Sequence, residues 1–577
     1  MPGPVGIGIQ DFGKLITNGC FYIDKTYFIK DWWESHDDVT LITRPRRFGK
    51  TLTMSMLERF FSVQDAGSRM FEHLWIWKEE KYRGLQGTYP VISMSFARVK
   101  GKDYKAVRDA ICQIIADIYM KHRFLMEGEL LAEPEKRYFE QVCDTMDDAV
   151  AVAAIQRLSE YLFRYYGKKV ILLLDEYDTP LQEAYVNGYW EEISDFIRKM
   201  FHASFKDNQN LERAVMTGIT RVSRESVFSD LNHLKVVTVT SEKYATVFGF
   251  TEAEVFEALE AYGLHDRKRE VKEWYDGFRF GNCDNIYNPW SVLNFLDERR
   301  IDGYWVNTSS NQMIERLIGG SSSLVKQIVE DLISGGDFCT SVNENLVYDQ
   351  LDQEENAVWS LLLASGYLKV KQCFADPEWG DVKYVLALTN KEVAGMFRNM
   401  VKNWFSGCSS SYHDFIKALL RNDLEAMNGY MNRVALATFS IFDAGTKSSK
   451  TAEPERFYHG FFLGLSVGLS DRYSITSNRE SGFGRYDVMF EPKDGRSDAM
   501  IIEFKVHGRG TRMEETVHAA VSQILKKKYA AALEEKGIPK NRIRIYGFAF
   551  QGKQVLIGGG YLMDYETTDE CGSMADR

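Results

Sequence analysis

The eight cysteines, Cys20, Cys112, Cys143, Cys283, Cys339, Cys373, Cys408 and Cys571, are scattered over 577 residues, and none stands in a Cys-x-x-Cys pair. That spacing suggests neither a zinc cluster nor a disulfide framework, so the thiols are expected to be reduced. No apolar run approaches the ~20 residues that cross a bilayer. The first residues, Met1 to Gln10, lack a basic stretch followed by an apolar one, so no signal peptide is expected. The cytoplasm is the expected compartment, with no membrane partner. A basic excess is also missing, since the net charge is -11 and the pI about 5.6. A chain that coats itself non-specifically with nucleic acid is thereby excluded, and any such contact must come from local patches. Internal repeats and low-complexity segments are absent. What is present is ordinary globular material, 45% hydrophobic and 27% charged, too long for one core, so several domains are expected.

The first 240 residues alternate short apolar runs with helical stretches. Strands are expected at Val39–Thr43, Pro90–Phe96, Val170–Leu174 and Ala214–Gly218, with a helix at Lys50–Phe61. This is the pattern of a parallel α/β sheet. Residues 241–450 read as mainly helical. Within them a helix at Val358–Ala364, then strands at Tyr367–Gln372 and Lys383–Leu388, outline a winged-helix-like unit, with turn chemistry at Asp376, Pro377 and Gly380. Residues 445–455 read as a linker. Residues 451–560 read as a second α/β domain: a helix at Phe457–Leu469, strands at Tyr486–Phe490 and Met500–Val506, a helix at Arg512–Lys536 and a strand at Ile543–Phe550. Residues 561–577 are left as a tail.

Arg44-Pro-Arg46-Arg47-Phe48-Gly49-Lys50-Thr51 follows a strand and opens a helix, the context of a Walker A phosphate-binding loop. Gly49 lets backbone amides approach phosphate, Lys50 is suited to the terminal phosphates, and the Thr51 hydroxyl to Mg²⁺. The helix N-terminus adds its dipole. Arg44 departs from the pattern, which has glycine there. Arg46, Arg47 and Phe48 complete the expected ATP-binding loop; its arginines either hold phosphates or mark slow turnover. Val170 to Leu174 followed by Asp175-Glu176 has the form of a Walker B strand, with Asp175 for the metal and Glu176 for the attacking water. Thr217, Thr220 and Arg221 end the next strand, where a polar group can sense the γ-phosphate; Arg221 reads equally well as a surface or ion-pair residue.

Asp487 precedes one strand-like run, and Glu503 and Lys505 lie on another. Alternation along a strand puts Glu503 and Lys505 on one face and Phe504 on the other. A hairpin would bring Asp487 beside Glu503, giving two carboxylates for Mg²⁺ with a lysine alongside. That set suits phosphodiester hydrolysis, where the metal lowers the pKa of bound water and lysine steadies developing charge. Glu480 is a candidate further ligand and Gln523 a candidate support. The bland alternative is a solvated hairpin with an exposed Glu–Lys pair. His459, His507 and His518 form no nucleophile constellation. Lys526-Lys527-Lys528 is a solvated helix face or a phosphate contact, and Trp290 and Trp305 read as core.

Many segments together resemble one family. They include Gly8-Ile-Gln-Asp-Phe12, Tyr22-Ile-Asp-Lys-Thr26, Thr43 through Thr51, Leu174-Asp-Glu-Tyr-Asp-Thr-Pro180 and Thr217 through Ser223. Further along are Tyr287-Asn-Pro-Trp-Ser291, Tyr304-Trp-Val-Asn-Thr-Ser309, Gly484 to Asp487 and Ile502 to Lys505. The chain resembles bacterial AAA-ATPase-like proteins with a C-terminal PD-(D/E)XK nuclease superfamily domain, over nearly its whole length. The resemblance implies that Arg44 is usual at its position. It also implies ATP and Mg²⁺ as cofactors and nucleic acid, DNA first, as partner. The expectation is an ATP-binding, ATP-hydrolysing module coupled to a Mg²⁺-dependent nuclease, with self-association left open. The rivals are a nucleotide-switch interaction protein whose nuclease-like domain only binds, and an ATPase with a terminal scaffold.

Overall fold

Val39 to Thr43 and Val170 to Leu174 are apolar and β-branched runs without polar alternation, the pattern of strands covered on both faces. In the computed structural model they form β1 (Val39–Thr43) and β3 (Val170–Asp175), buried along their whole length. With β2 (Val91–Ser95), β4 (Leu211–Gly218) and β5 (Leu234–Val237) they make a parallel sheet in the order β2-β3-β4-β1-β5. The structure describes residues 2–221, 227–228, 231, 233–308, 314–315, 317–318, 323–333, 335–344, 355–375, 382–404, 409–442, 469, 472–477, 480–481, 484–485, 487–507, 512–551 and 554–565.

The chain divides into two compact units, residues 1–317 with 335–395, and residues 318–334 with 396–577. In the first, helices Tyr104–Lys121, Asp148–Tyr166 and Trp190–Phe201 pack Ile115, Leu158 and Ile197 against Leu172, Leu174 and Met216. Each such side chain, fully buried, contributes roughly 1.5–3 kcal/mol. The register pairs Thr43 with Gly218 and Leu174 with Met216. The carboxyl ends of β1, β3 and β4 therefore finish level, at the edge where open α/β sheets bind ligands.

After this sheet the chain is rich in helices, as expected, but also carries two small antiparallel sheets. One joins β6 (Phe250–Thr251), β7 (Asp276–Phe280) and β8 (Cys283–Tyr287) in the order β6-β8-β7. The other sets β9 (Phe338–Ser341) beside the hairpin of β10 (Leu368–Ala375) and β11 (Val382–Leu388). The helix Glu355–Ala364 precedes that hairpin, so the helix-then-hairpin outline is present with a third strand added. The turn residues Asp376, Pro377 and Gly380 lie outside the described residues.

The second unit holds a mixed sheet of β12 (Tyr473–Ser477), β15 (Val488–Pro492), β16 (Ala499–Val506), β17 (Ile543–Gln551) and β18 (Gln554–Tyr561), in that order. A two-residue pair, β13 (Glu480–Ser481) with β14 (Gly484–Arg485), stands apart. Only β16 and β17 are parallel, and the helix Met513–Lys526 crosses between them. Alternation sorts β16 between two cores: Ile501 packs with Val521 and Ile524, while Met500 and Ile502 pack with Phe415, Leu419 and Met427. The expected single helix Arg512–Lys536 is two helices, Met513–Lys526 and Ala531–Glu535. Lys528 takes a left-handed φ of 53° between them, and the buried Tyr529 follows it. Residues 445–455, His459 and the expected helix Phe457–Leu469, apart from Leu469, lie outside the described residues.

Candidate active sites

The turn after β1 carries two residues in the left-handed region, Arg47 at φ 64° and Gly49 at φ 81°, and the helix Lys50–Phe61 begins immediately. Phe48 anchors the turn, edge-on to Phe278 at 4.8 Å and to Phe280 at 5.4 Å. Lys50 is buried, and its Nζ donates to the carbonyls of Arg44 at 2.9 Å and Pro45 at 2.8 Å. Burial pushes its pKa down, against the pull of Glu176 and Asp175.

Residues distant in sequence meet at the strand ends. Thr51 Oγ1 donates to Asp175 Oδ2 at 2.6 Å, and Thr217 Oγ1 donates to Asp175 Oδ1. Glu176 sits at φ 52°, a conformation that costs a non-glycine residue roughly 1–3 kcal/mol. Burial raises its pKa, which Lys50 opposes. Asp178 Oδ2 accepts from Ile219 N and Thr220 N, both at 2.9 Å, and from Thr220 Oγ1 at 3.0 Å. Thr217 and Thr220 are thus drawn to the acidic strand end.

A cavity of about 450 Å³ opens on this turn. Arg46, Arg47, Phe48, Gly49, Lys50, Thr51 and Glu176 all line it; Asp175, beneath Thr51, and the half-buried Arg221 do not. The wall also includes residues that were not expected at the site, among them Gly8, Ile9, Tyr22, Ile23, Val247, Phe250, Trp290 and Leu293. Gly8, Ile9, Tyr22, Ile23 and Trp290 stand in the motifs that carry the resemblance, the only signal the sequence offers for them. Trp290 is half-buried rather than core, with the Arg47 guanidinium 4.4 Å over its ring. Arg44 takes no part in the wall. Fully buried, it donates through Nη1 to the carbonyls of Thr43 at 2.9 Å and Thr238 at 2.6 Å, and burial lowers its pKa to about 9.

In the second unit the β15–β16 register, Val488 opposite Ile502, sets Asp487 beside Glu503. Asp487 Oδ2 accepts from Phe504 N at 2.7 Å. Lys505 Nζ donates to Gln523 Oε1 at 2.7 Å, and Gln523 Nε2 donates to Glu503 Oε1. Gln523 reaches the strand because its helix packs close. A Cβ on Gly547, which pairs with Glu503, would lie 2.6 Å from the Val517 carbonyl. Phe504 turns to the opposite face, against Phe548 and Phe550. Burial and then the neighbouring Asp487 raise the Glu503 pKa to about 8, and burial raises that of Asp487.

Glu503 Oε2 is buried without a hydrogen-bond partner. Two adjacent carboxylates with one oxygen unsatisfied suit a hard divalent cation, which takes one or two protein carboxylates and keeps several waters. Among the described residues no group of three or more His, Cys, Asp or Glu gathers in this way. The Glu480 backbone pairs with Arg485, and its side chain lies outside what is described.

These geometries define a P-loop α/β module and a mixed-sheet domain with a carboxylate–lysine cluster. Residues 6–228 match the family described as predicted AAA-ATPase, and residues 453–559 match the PD-(D/E)XK nuclease superfamily. The chain carries both domains, whose kinds generally use nucleotide and divalent metal. It is also similar to an uncharacterized protein in the vnfD 5' region of Azotobacter chroococcum mcd 1, 25% identical over 325 residues. That stretch is 54% of this chain and 55% of the relative, so the match spans about half of each. Among the described residues no helix is long and apolar enough to cross a membrane.

Proposed function

We propose that this chain binds and hydrolyses ATP and that its second unit is a Mg²⁺-dependent nuclease acting on nucleic acid, DNA first. The observation that carries the reading is the Asp487–Glu503–Lys505–Gln523 cluster with its unpartnered carboxylate oxygen. Asp487 and Glu503 would hold the metal, which when bound lowers the pKa of water and polarises the phosphate. Lys505, steered by Gln523, would stabilise charge on the phosphate. In the first unit Lys50 would exchange its two carbonyl partners for the terminal phosphates. Thr51 and Asp175, already in contact, would hold Mg²⁺ directly and through water. Glu176, with its raised pKa, is suited to take a proton from the attacking water.

A second reading has one observation in its favour. Lys50 is held by the Arg44 and Pro45 carbonyls and Thr51 by Asp175, an internally satisfied set that suits a slow nucleotide switch. Turnover separates the two. Phosphate release from ATP is expected in the wild type and falls about 10²–10⁴-fold in Glu176→Gln, the usual size of a lost general base, with ATP binding retained. Unchanged turnover in that variant removes Glu176 as the base, and a wild type that binds ATP without turnover favours the switch.

A further inference from the structure

Two motifs that carry the resemblance, Tyr287 to Ser291 and Tyr304 to Thr308, have no part in the chemistry above. Both end on the phosphate-binding loop. Trp305 Nε1 donates to the Arg46 carbonyl at 3.0 Å, and Asn288 Nδ2 donates to the same oxygen at 3.3 Å. Glu392, at the start of the helix Lys391–Trp404, joins the motifs behind the loop. Its Oε1 accepts from Trp305 N at 2.6 Å and Val306 N at 3.4 Å, and its Oε2 from Ser291 Oγ at 2.9 Å. Glu392 and Asn288 are 2% and 1% exposed. The Trp305 ring is fixed between Phe278, 5.4 Å away, and Tyr367, 5.3 Å away, and Phe278 also packs Phe48 of the loop.

We propose that Asn288 and Trp305, braced by Glu392, are positioning residues that set the phosphate-binding loop for the β- and γ-phosphates of ATP; this rests on the ATP-binding reading. In a trans peptide the carbonyl and the following N–H point in opposite directions. Two donors drawing the Arg46 carbonyl one way therefore aim the Arg47 N–H the other way. Both Arg46 and Arg47 line the cavity. The same grip holds Arg47 at its left-handed φ of 64°, which an ungripped arginine would leave, since that conformation is uncommon outside glycine, asparagine and aspartate. The base and ribose lie outside this device, so its loss is felt by the phosphate chain.

Calorimetric titration of the full chain with ATP and with AMP, each with Mg²⁺, tests this, because AMP lacks the β- and γ-phosphates. Trp305→Phe keeps an aromatic ring, though a smaller one, and removes the donor. Asn288→Asp keeps the helix cap, whose oxygen serves Trp290 N and Ser291 N, and removes the other donor. Each is expected to lower the ratio of ATP to AMP affinity about three- to tenfold, as one lost hydrogen bond would. General destabilisation would not move that ratio. Glu392→Gln still accepts from Trp305 and can donate to the Ser291 hydroxyl, so it keeps the wild-type ratio, whereas Glu392→Ala falls to that of Trp305→Phe. A wild-type ratio in both Trp305→Phe and Asn288→Asp overturns the inference. A wild type that binds neither nucleotide, or a Lys50→Ala variant that binds ATP normally, overturns the ATP-binding reading and this inference with it.

Discussion

Arg44 occupies the place where a phosphate-binding loop ordinarily has glycine, yet its guanidinium is spent inside the protein. It ties the end of β1 to the Thr238 and Lys243 carbonyls and lies 4.5 Å over the Phe280 ring. Arg44→Gly restores the plain motif, and it is expected to cost stability rather than add activity. It leaves carbonyls unpaired and a void behind, a loss on the order of 2–4 kcal/mol, read as a lower denaturation midpoint. An Arg44→Gly chain as stable as the wild type would contradict the assignment. Glu392 gives a second test at this scale. Burial raises its pKa to about 7, with Asp302 adding to the shift, against an unfolded value near 4.3. Between those values the folded chain keeps a proton that the unfolded chain has released, so this group's contribution to stability falls as pH rises. Relative to Glu392→Gln, the wild type is expected to lose on the order of 1–3 kcal/mol between about pH 4.5 and 7. Stability–pH curves that run parallel for the two proteins would show that Glu392 does not titrate there.

At the scale of elements, the edge strand β18 shows how the second unit closes its sheet. Asn428 and Asn432 lie one turn apart on the helix Leu424–Phe442. The Asn428 amide donates to Ile557 O at 2.9 Å and accepts from Ile557 N at 2.8 Å; Asn432 repeats this on Val555 at 2.7 and 2.9 Å. The two side chains satisfy the edge as a neighbouring strand would, and an open edge invites aggregation. Asn428→Ala is expected to destabilise this unit by about 1–3 kcal/mol, because it strands a buried donor and acceptor, and to aggregate on mild heating. Unaltered melting and solubility would remove that role. Nothing in the sequence announces this device, since asparagine on a helix reads as surface. β18 itself escapes because Gly558-Gly559-Gly560 weakens a strand pattern, and β5 because it is four residues long with a lysine among them. Legible instead are elements whose physics is local. The apolar run to Thr43, the glycine turn and the helix from Lys50 stand where periodicity puts them, and alternation correctly faces Glu503 and Lys505 together. The cavity wall from Val247 to Phe250 and the brace through Glu392 arise from packing between residues more than 80 positions apart, which no local pattern encodes.

At the scale of the molecule, one chain carries two candidate hydrolytic sites, one in each compact unit. They share no residue, so each can be removed alone. The most direct test of the account follows end-labelled single- and double-stranded DNA and RNA with purified protein and Mg²⁺, with and without ATP, alongside Asp487→Ala and Glu503→Ala. The wild type is expected to show Mg²⁺-dependent cleavage. Both variants should lose it, because removing either carboxylate removes much of the anchoring of a cation that takes only one or two, while ATP binding persists in both. Equal degradation by wild type and variants, or none under any combination of metal and nucleotide, would contradict the nuclease assignment and leave the second unit a binding module.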